Sequence, residues 1–297
     1  MTEPLKPPIF LLGNVRSGTS MMHDFFDGHP QVKAWYEPRT IWVYADPTRL
    51  HDRFEAVDAT PRVIRYIRGR FLKFQRHHGN KRIMEKTPSN LLRIPYVHAI
   101  FPESKYLYMV REPLAYLSSS EIKWQTAIGI EQTLKRLWES PTTQLHHYLG
   151  RFVRDKFTKH VLRSKYVSIW GVRYPGILAD LANLPTEHVI ARQWAHCSMQ
   201  AEADLARIDP ALVLRMRYED FVADPVQRFE QICDHFELGL TAKLAKHIAK
   251  TVDPTRQRKW QRMDLDRLAK CLPIVEREMK RHGYAVPQEL QTPPDFQ

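Results

Sequence analysis

The stretch that most constrains the fold is Gly13-Asn14-Val15-Arg16-Ser17-Gly18-Thr19-Ser20, which follows the apolar run Ile9 to Leu12. Two glycines flanking four residues, between an apolar run and a helical pattern, make a turn whose backbone N–H groups and helix dipole converge on an anion. A triphosphate loop, G-x-x-x-x-G-K-[ST], carries a lysine after its second glycine, yet Thr19 stands there and Arg16 is the only cation inside the loop. An arginine can fork two hydrogen bonds onto a phosphate or sulfate without a metal. The loop therefore favours a donor with less charge to neutralise than ATP, held by Arg16 and by Ser17, Gly18, Thr19 and Ser20 at the helix start.

Around the loop, short apolar runs at 8–12, 104–110 and 211–216 read as buried strands, each followed by a helix. Further strands are expected at 82–85 and 32–34. The first helix begins near Gly18, carries Met21, Met22, Phe25 and Phe26 on one face, and ends at Asp27-Gly28. Thr87, Ser89 and Asn90 are placed to cap a helix over 91–101. This alternation predicts an α/β fold of three layers, a central parallel sheet with helices on both faces and ligands at the carboxyl ends of the strands.

A chain of 297 residues, 43% hydrophobic, can bury a large core. One domain over 1–297 is expected, with a mostly helical insertion at about 121–185 on the acceptor side, where the apolar periodicity fades. Its aromatics, from Trp124 to Trp170, either line an apolar acceptor site or pack the insertion. The tail from Lys243 is helical in pattern, broken by a basic loop at 252–260.

The balance of 45 Lys and Arg against 33 Asp and Glu, net +12, attracts anionic ligands, nucleic acid or acidic membrane surfaces without choosing among them. No early apolar run approaches the ~18–20 residues needed to cross a bilayer, so neither a signal peptide nor a membrane span is expected. Cys197, Cys233 and Cys271 are far apart and form no C-x-x-C. Neither a disulfide framework nor a zinc site is indicated, and a cytoplasmic location fits. The pairs His77-His78 and His146-His147 read as surface features, because adjacent helical residues point ~100° apart; no metal is expected.

A second motif lies at Lys105 to Ser120, K-Y-L-Y-M-V-R-E-P-L-A-Y-L-S-S-S: a strand ending in Arg111, then a helix that puts Ser119 about two turns in. Together with V-R-S-G-T-S it resembles the sulfotransferases that use 3′-phosphoadenosine 5′-phosphosulfate (PAPS). The resemblance implies a fold like that of the P-loop nucleoside-triphosphate hydrolases, PAPS as sulfuryl donor and no metal. It implies a small-molecule, lipid or carbohydrate acceptor and no nucleic-acid partner. The loop at Arg16–Ser20 would then hold the 5′-phosphosulfate, and Arg111 with Ser119 the 3′-phosphate.

Further matches assign roles. Arg217-Tyr218-Glu219-Asp220-Phe221 resembles the family segment whose tyrosine helps hold adenine, which makes Tyr218 that candidate. The stretch 255–260 is similar to the late segment that closes over the nucleotide phosphates, so Arg258, Lys259 and Trp260 are candidates, although the R-K-G triplet of the small-molecule branch is absent. His29 to Arg39 resembles the tyrosylprotein branch, where a glutamate acts as base two residues before an arginine. Glu37 is thus the candidate base, and Arg39 would orient it or the acceptor. Lys86, in M-E-K-T-P, resembles the lysine that contacts the bridging oxygen; with Arg16 it would neutralise the leaving nucleotide.

The reading is sulfuryl transfer to an acceptor oxygen, in preference to nitrogen. A nucleotide-dependent kinase with a degenerate Walker A loop and a non-catalytic basic nucleic-acid-binding protein are the alternatives. The absent lysine weighs against the kinase.

Overall fold

Five strands form one sheet in the order β2-β3-β1-β4-β5: β1 Ile9–Gly13, β2 Val32–Tyr36, β3 Arg82–Lys86, β4 Lys105–Val110 and β5 Val213–Arg217. Every pairing is parallel. The computed structural model describes residues 3–124, 170–253, 259–262 and 264–290, and the side chains of 121–124, 259 and 262 lie outside that description. The expected insertion falls largely outside it, as does the pair His146-His147.

Alternation along each strand feeds two cores. Phe10 and Leu12 of β1 and Tyr106, Tyr108 and Val110 of β4 face one side; Ile9, Leu11, Leu107 and Met109 face the other. The first side is covered by α3 (Pro61–His77), α4 (Ile94–Ile100) and α5 (Pro113–Trp124). It is also covered, after α6 (Ile177–Asn183), by α7 (Thr186–Leu205) and, at the chain's end, by α11 (Leu265–Arg281). The second is covered by α1 (Thr19–Asp27), α8 (Tyr218–Ala223), α9 (Pro225–His235) and α10 (Ala242–Thr251). Strands buried on both faces read as near-continuous apolar runs, which is why they were visible in the sequence.

Three expectations need correction. Thr87 and Asn90 do not cap a helix: Pro88–Leu92 is a 3-10 turn, α4 begins only at Ile94, and both polar side chains bind Glu85 instead. A buried carboxylate competes successfully for donors that would otherwise serve a helix end. The last strand starts at Val213, because Pro210–Leu212 forms a 3-10 turn whose N-cap Asp209 accepts from Ala211 N–H. The basic stretch is not loop throughout, since Lys259–Arg262 is a 3-10 turn.

The segment between α2 (Arg39–Trp42) and α3 is pinned by Asp52. Its carboxylate accepts from Arg93 Nη2 at 3.1 Å, Arg173 Nη2 at 2.7 Å and the Arg173 N–H at 2.8 Å. Burial alone would raise the Asp52 carboxyl, but Arg173 and Arg93 outweigh it and hold it below the usual range. Its stabilisation is therefore present above the unfolded pKa and lost as pH falls through the lower folded one. Asp52→Ala, which leaves the buried Arg93 without its counter-charge, should cost about 3–5 kcal/mol in thermal or urea unfolding at pH 7.

Candidate active site

The parallel register brings all five carboxyl ends to one edge, and each carries a residue singled out from the sequence. The anion loop follows β1, Glu37 follows β2, Lys86 ends β3, Arg111 follows β4 and Tyr218 follows β5. The chain order changes direction beside β1, which lies between β3 and β4; such a switch point opens a crevice.

In the loop, Ser17 N–H donates to Asn14 O at 3.2 Å, and Arg16 takes a left-handed φ of 66°. Gly18, also left-handed at φ 82°, is the N-cap of α1, and no side chain caps that end. The first N–H groups of α1 therefore remain available to a ligand. Both glycines are sterically required. A Cβ on Gly13 would lie 2.6 Å from Thr19 Cγ2 and 2.9 Å from Met109 O, and one on Gly18 would lie 2.5 Å from Tyr218 Cδ2.

Arg16, Ser119 and Arg111 meet although 103 residues separate the first two. Arg16 Nε donates to Ser119 Oγ at 2.8 Å, and Arg111 Nη1 donates to Arg16 O at 2.7 Å. The Arg111 guanidinium lies 4.6 Å over the Tyr218 ring, so Tyr218 packs between Gly18 and Arg111. Burial first, then the neighbouring Arg111 charge, lower the Arg16 pKa. Each cation donates to a neutral oxygen, and among the described residues Ser17 Oγ and Arg111 Nε are buried without a hydrogen-bond partner. Two close positive charges with donors to spare suit phosphate or sulfate oxygens.

At the ends of β2 and β3, Lys86 Nζ donates to Glu37 Oε1 at 2.8 Å, and Arg39 Nε to Glu37 Oε2 at 2.8 Å. Glu37 N–H continues the β2–β3 ladder onto Lys86 O at 2.9 Å, with a left-handed φ of 46°. Burial tends to raise the Glu37 carboxyl, but Arg39 and Lys86 together pull it below its ordinary value. Tyr36, missed in the sequence because the strand was expected to end at Ala34, lies under Lys86, its ring centre 3.9 Å from Nζ. Glu85, also missed, is buried beside Lys86. Its only sequence signal was a carboxylate directly after the apolar pair Ile83-Met84 in a short strand.

Of the late segment, Arg258 and the Lys259 side chain lie outside the described residues. Trp260 is buried in the α5-side core. With Glu112, Glu219 and Glu289 it lines a cavity of about 370 Å³. Ser20 is exposed at the helix start and Thr19 is buried against Gly13. His77 is exposed, and His78 Nδ1 lies 2.8 Å from Phe74 O.

Gly18→Ala should lower stability by about 1–3 kcal/mol, since it combines a strained φ with a clash against Tyr218. Thermal unfolding with and without inorganic sulfate checks this, and the variant should also lose any protection by sulfate.

A sequence model described as the sulfotransferase family matches residues 7–158 and 151–242. The protein-tyrosine sulfotransferase of Drosophila melanogaster is 31% identical over 166 residues, 50% of this chain and 33% of that protein. Nodulation protein NoeE of Sinorhizobium fredii is 25% identical over 137 residues, 41% of this chain and 33% of that protein. The chain thus spans about a third of the length of the curated relatives it matches. Among solved structures, the sulfotransferase domain of the Synechococcus PCC 7002 olefin synthase superposes with a TM-score of 0.57 at 16% identity, covering 96% of this chain and 97% of that one. The sulfotransferase domain of the curacin biosynthetic pathway gives 0.54 at 17%, covering 96% and 100%. The family match runs through the loop, Lys86, Arg111 and Tyr218, the residues whose convergence has just been described, and the chain belongs to the sulfotransferase family.

Proposed function

We propose that the chain transfers a sulfuryl group from PAPS to an acceptor hydroxyl. The observation that carries the reading is the cluster of Arg16, Ser119 and Arg111, with buried donors at Ser17 Oγ and Arg111 Nε to spare, one strand away from the Glu37–Lys86 pair. When bound, PAPS supplies the sulfuryl group and departs as the 3′,5′-bisphosphate. Arg16 to Ser20 would hold its 5′-phosphosulfate, Arg111 and Ser119 its 3′-phosphate, and Tyr218 its base. The cationic loop needs no magnesium in this reading.

Glu37 takes the acceptor proton. Its two cations keep it ionised near neutral pH but also keep it weakly basic. A swing of Lys86 from Glu37 toward negative charge building on the departing oxygen both stabilises that charge and restores basicity to Glu37. Arg39 stays on Glu37 and orients it.

The whole of 1–297 is read as one sulfotransferase domain, supported by a sheet whose strands come from residues 9–217. Among the described residues no helix is long and apolar enough to cross a membrane. A reducing, cytoplasmic setting belongs to this reading, in keeping with buried thiols at Cys197, Cys233 and Cys271. A small molecule, a lipid or a carbohydrate are acceptors to screen, and the name of the Drosophila relative adds a protein tyrosine.

Thermal shift with the 3′,5′-bisphosphate of adenosine, with ATP plus magnesium and with duplex DNA separates this reading from the kinase and nucleic-acid alternatives. Ligand at a hundred times its dissociation constant should stabilise the fold by about 2.7 kcal/mol. Protection by ATP–magnesium or DNA alone would overturn the reading. Glu37→Gln should keep bisphosphate protection while turnover falls about 10²–10⁴-fold, and because Arg39 and Lys86 hold the Glu37 carboxyl below its ordinary range the loss should be the same across pH 6–8.

A further inference from the structure

Glu85 is the penultimate residue of β3, and its carboxylate is enclosed, 1% exposed. Three donors converge on it: Trp42 Nε1 at 3.0 Å from the end of α2, Asn90 Nδ2 at 2.9 Å, and Thr87 Oγ1 from the turn after β3. None of them is a cation. Lys86 is the next residue, but side chains alternate across a strand, and its ammonium goes to Glu37.

Such a carboxylate is costly. Its burial with no ion-pair partner pushes the carboxyl up to about 7, and an apolar residue would fill the space at less cost to the fold. The surrounding donors are nevertheless matched to the ionised form. The indole N–H can only donate, Asn90 presents its amino group, and Asn90 Oδ1 is buried without a partner among the described residues.

The three bonds tie together the parts that carry the reacting groups. Trp42 and Arg39 share the four residues of α2, and Thr87 and Asn90 follow Lys86 directly. Between them stands Glu37, whose left-handed backbone persists only where its surroundings hold it.

We propose that Glu85 is a positioning residue, whose carboxylate clamps the Glu37–Trp42 segment to the end of β3 and so sets the contact between Glu37 and Lys86. Its catalytic consequence rests on the sulfotransfer reading of those two residues, whereas the clamp itself does not.

The test uses the full chain carrying Glu85→Gln, which keeps shape and removes charge, and Trp42→Phe, which removes one donor and keeps packing. The first readout needs no turnover: the rate at which an amine-reactive reagent modifies Lys86, followed by peptide mass spectrometry with Lys105 as internal reference. Both variants should speed Lys86 modification several-fold and leave Lys105 unchanged; a wild-type rate in both would overturn the clamp. If wild-type protein shows no sulfotransfer, the catalytic reading fails and this rate still decides the clamp.

With turnover in hand, Glu85→Gln should lower kcat about 10- to 100-fold with the donor KM within twofold, the loss expected when reacting groups are misplaced. The same substitution made on Lys86→Met should lower kcat no further, whereas a general loss of folded protein would lower both backgrounds alike and count against positioning.

A pH series supplies the last readout. The Glu85 carboxyl is raised in the folded state, so the fold holds that proton more tightly than the unfolded chain does, and stability should fall as pH rises from the ordinary carboxylate range to about 7. Lys86 and the buried Arg93 are charged groups that act on it, whereas its hydrogen-bond donors Trp42, Thr87 and Asn90 are neutral. Glu112, also pushed up to about 7 by burial, titrates in the same window, so Glu85→Gln should lessen the slope without abolishing it; a slope unchanged in the variant would overturn the assignment of Glu85 as a buried, unpaired carboxylate.

Discussion

The parallel pairing of β1 with β3 on one side and β4 on the other is the constraint on which the rest depends. In a parallel sheet every strand ends at the same edge, so residues that follow strands become neighbours whatever their separation in sequence. Gly13 pairs with Met109 across that edge, and the approach is so close that a methyl group on Gly13 would strike Met109 O. This tight pairing seats the anion loop beside the end of β4, where Arg111 can reach Arg16 O.

The edge is divided electrostatically. Around the loop, Arg16 and Arg111 are held by a hydroxyl and a main-chain oxygen, so their charge is not cancelled by carboxylates among the described residues they contact. One strand away, Lys86 and Arg39 are both committed to Glu37. An anion entering the first group meets uncompensated charge, while in the second two cations share one carboxylate and are partly neutralised until a ligand competes for Lys86. This asymmetry lets one site bind a charged donor and still keep an ionised carboxylate close to it.

Much of this was legible in the chain. β1 and β4 are apolar runs because both their faces are buried, and the carboxyl ends of the five strands were placed to within a residue or two. Arg16, Glu37, Lys86, Arg111, Ser119 and Tyr218 were found from spacing and resemblance. Glu85 was not, because nothing in M-E-K-T-P says that the glutamate turns inward to a tryptophan 43 residues earlier. The same ignorance misplaced the helix start after β3, since Thr87 and Asn90 look like caps until a buried carboxylate claims them.

By itself the sequence determined the α/β alternation, the loop chemistry and the absence of a triphosphate lysine, all of which are local patterns in which short-range sterics and periodicity decide. Only the tertiary structure decided which cations are free and which are paired, that Tyr36 lies under Lys86, that Tyr218 closes over Gly18, and that Trp260 belongs to a core beside carboxylates. Those outcomes depend on strand register and on burial, which are properties of the packed sheet and are not encoded in any one segment.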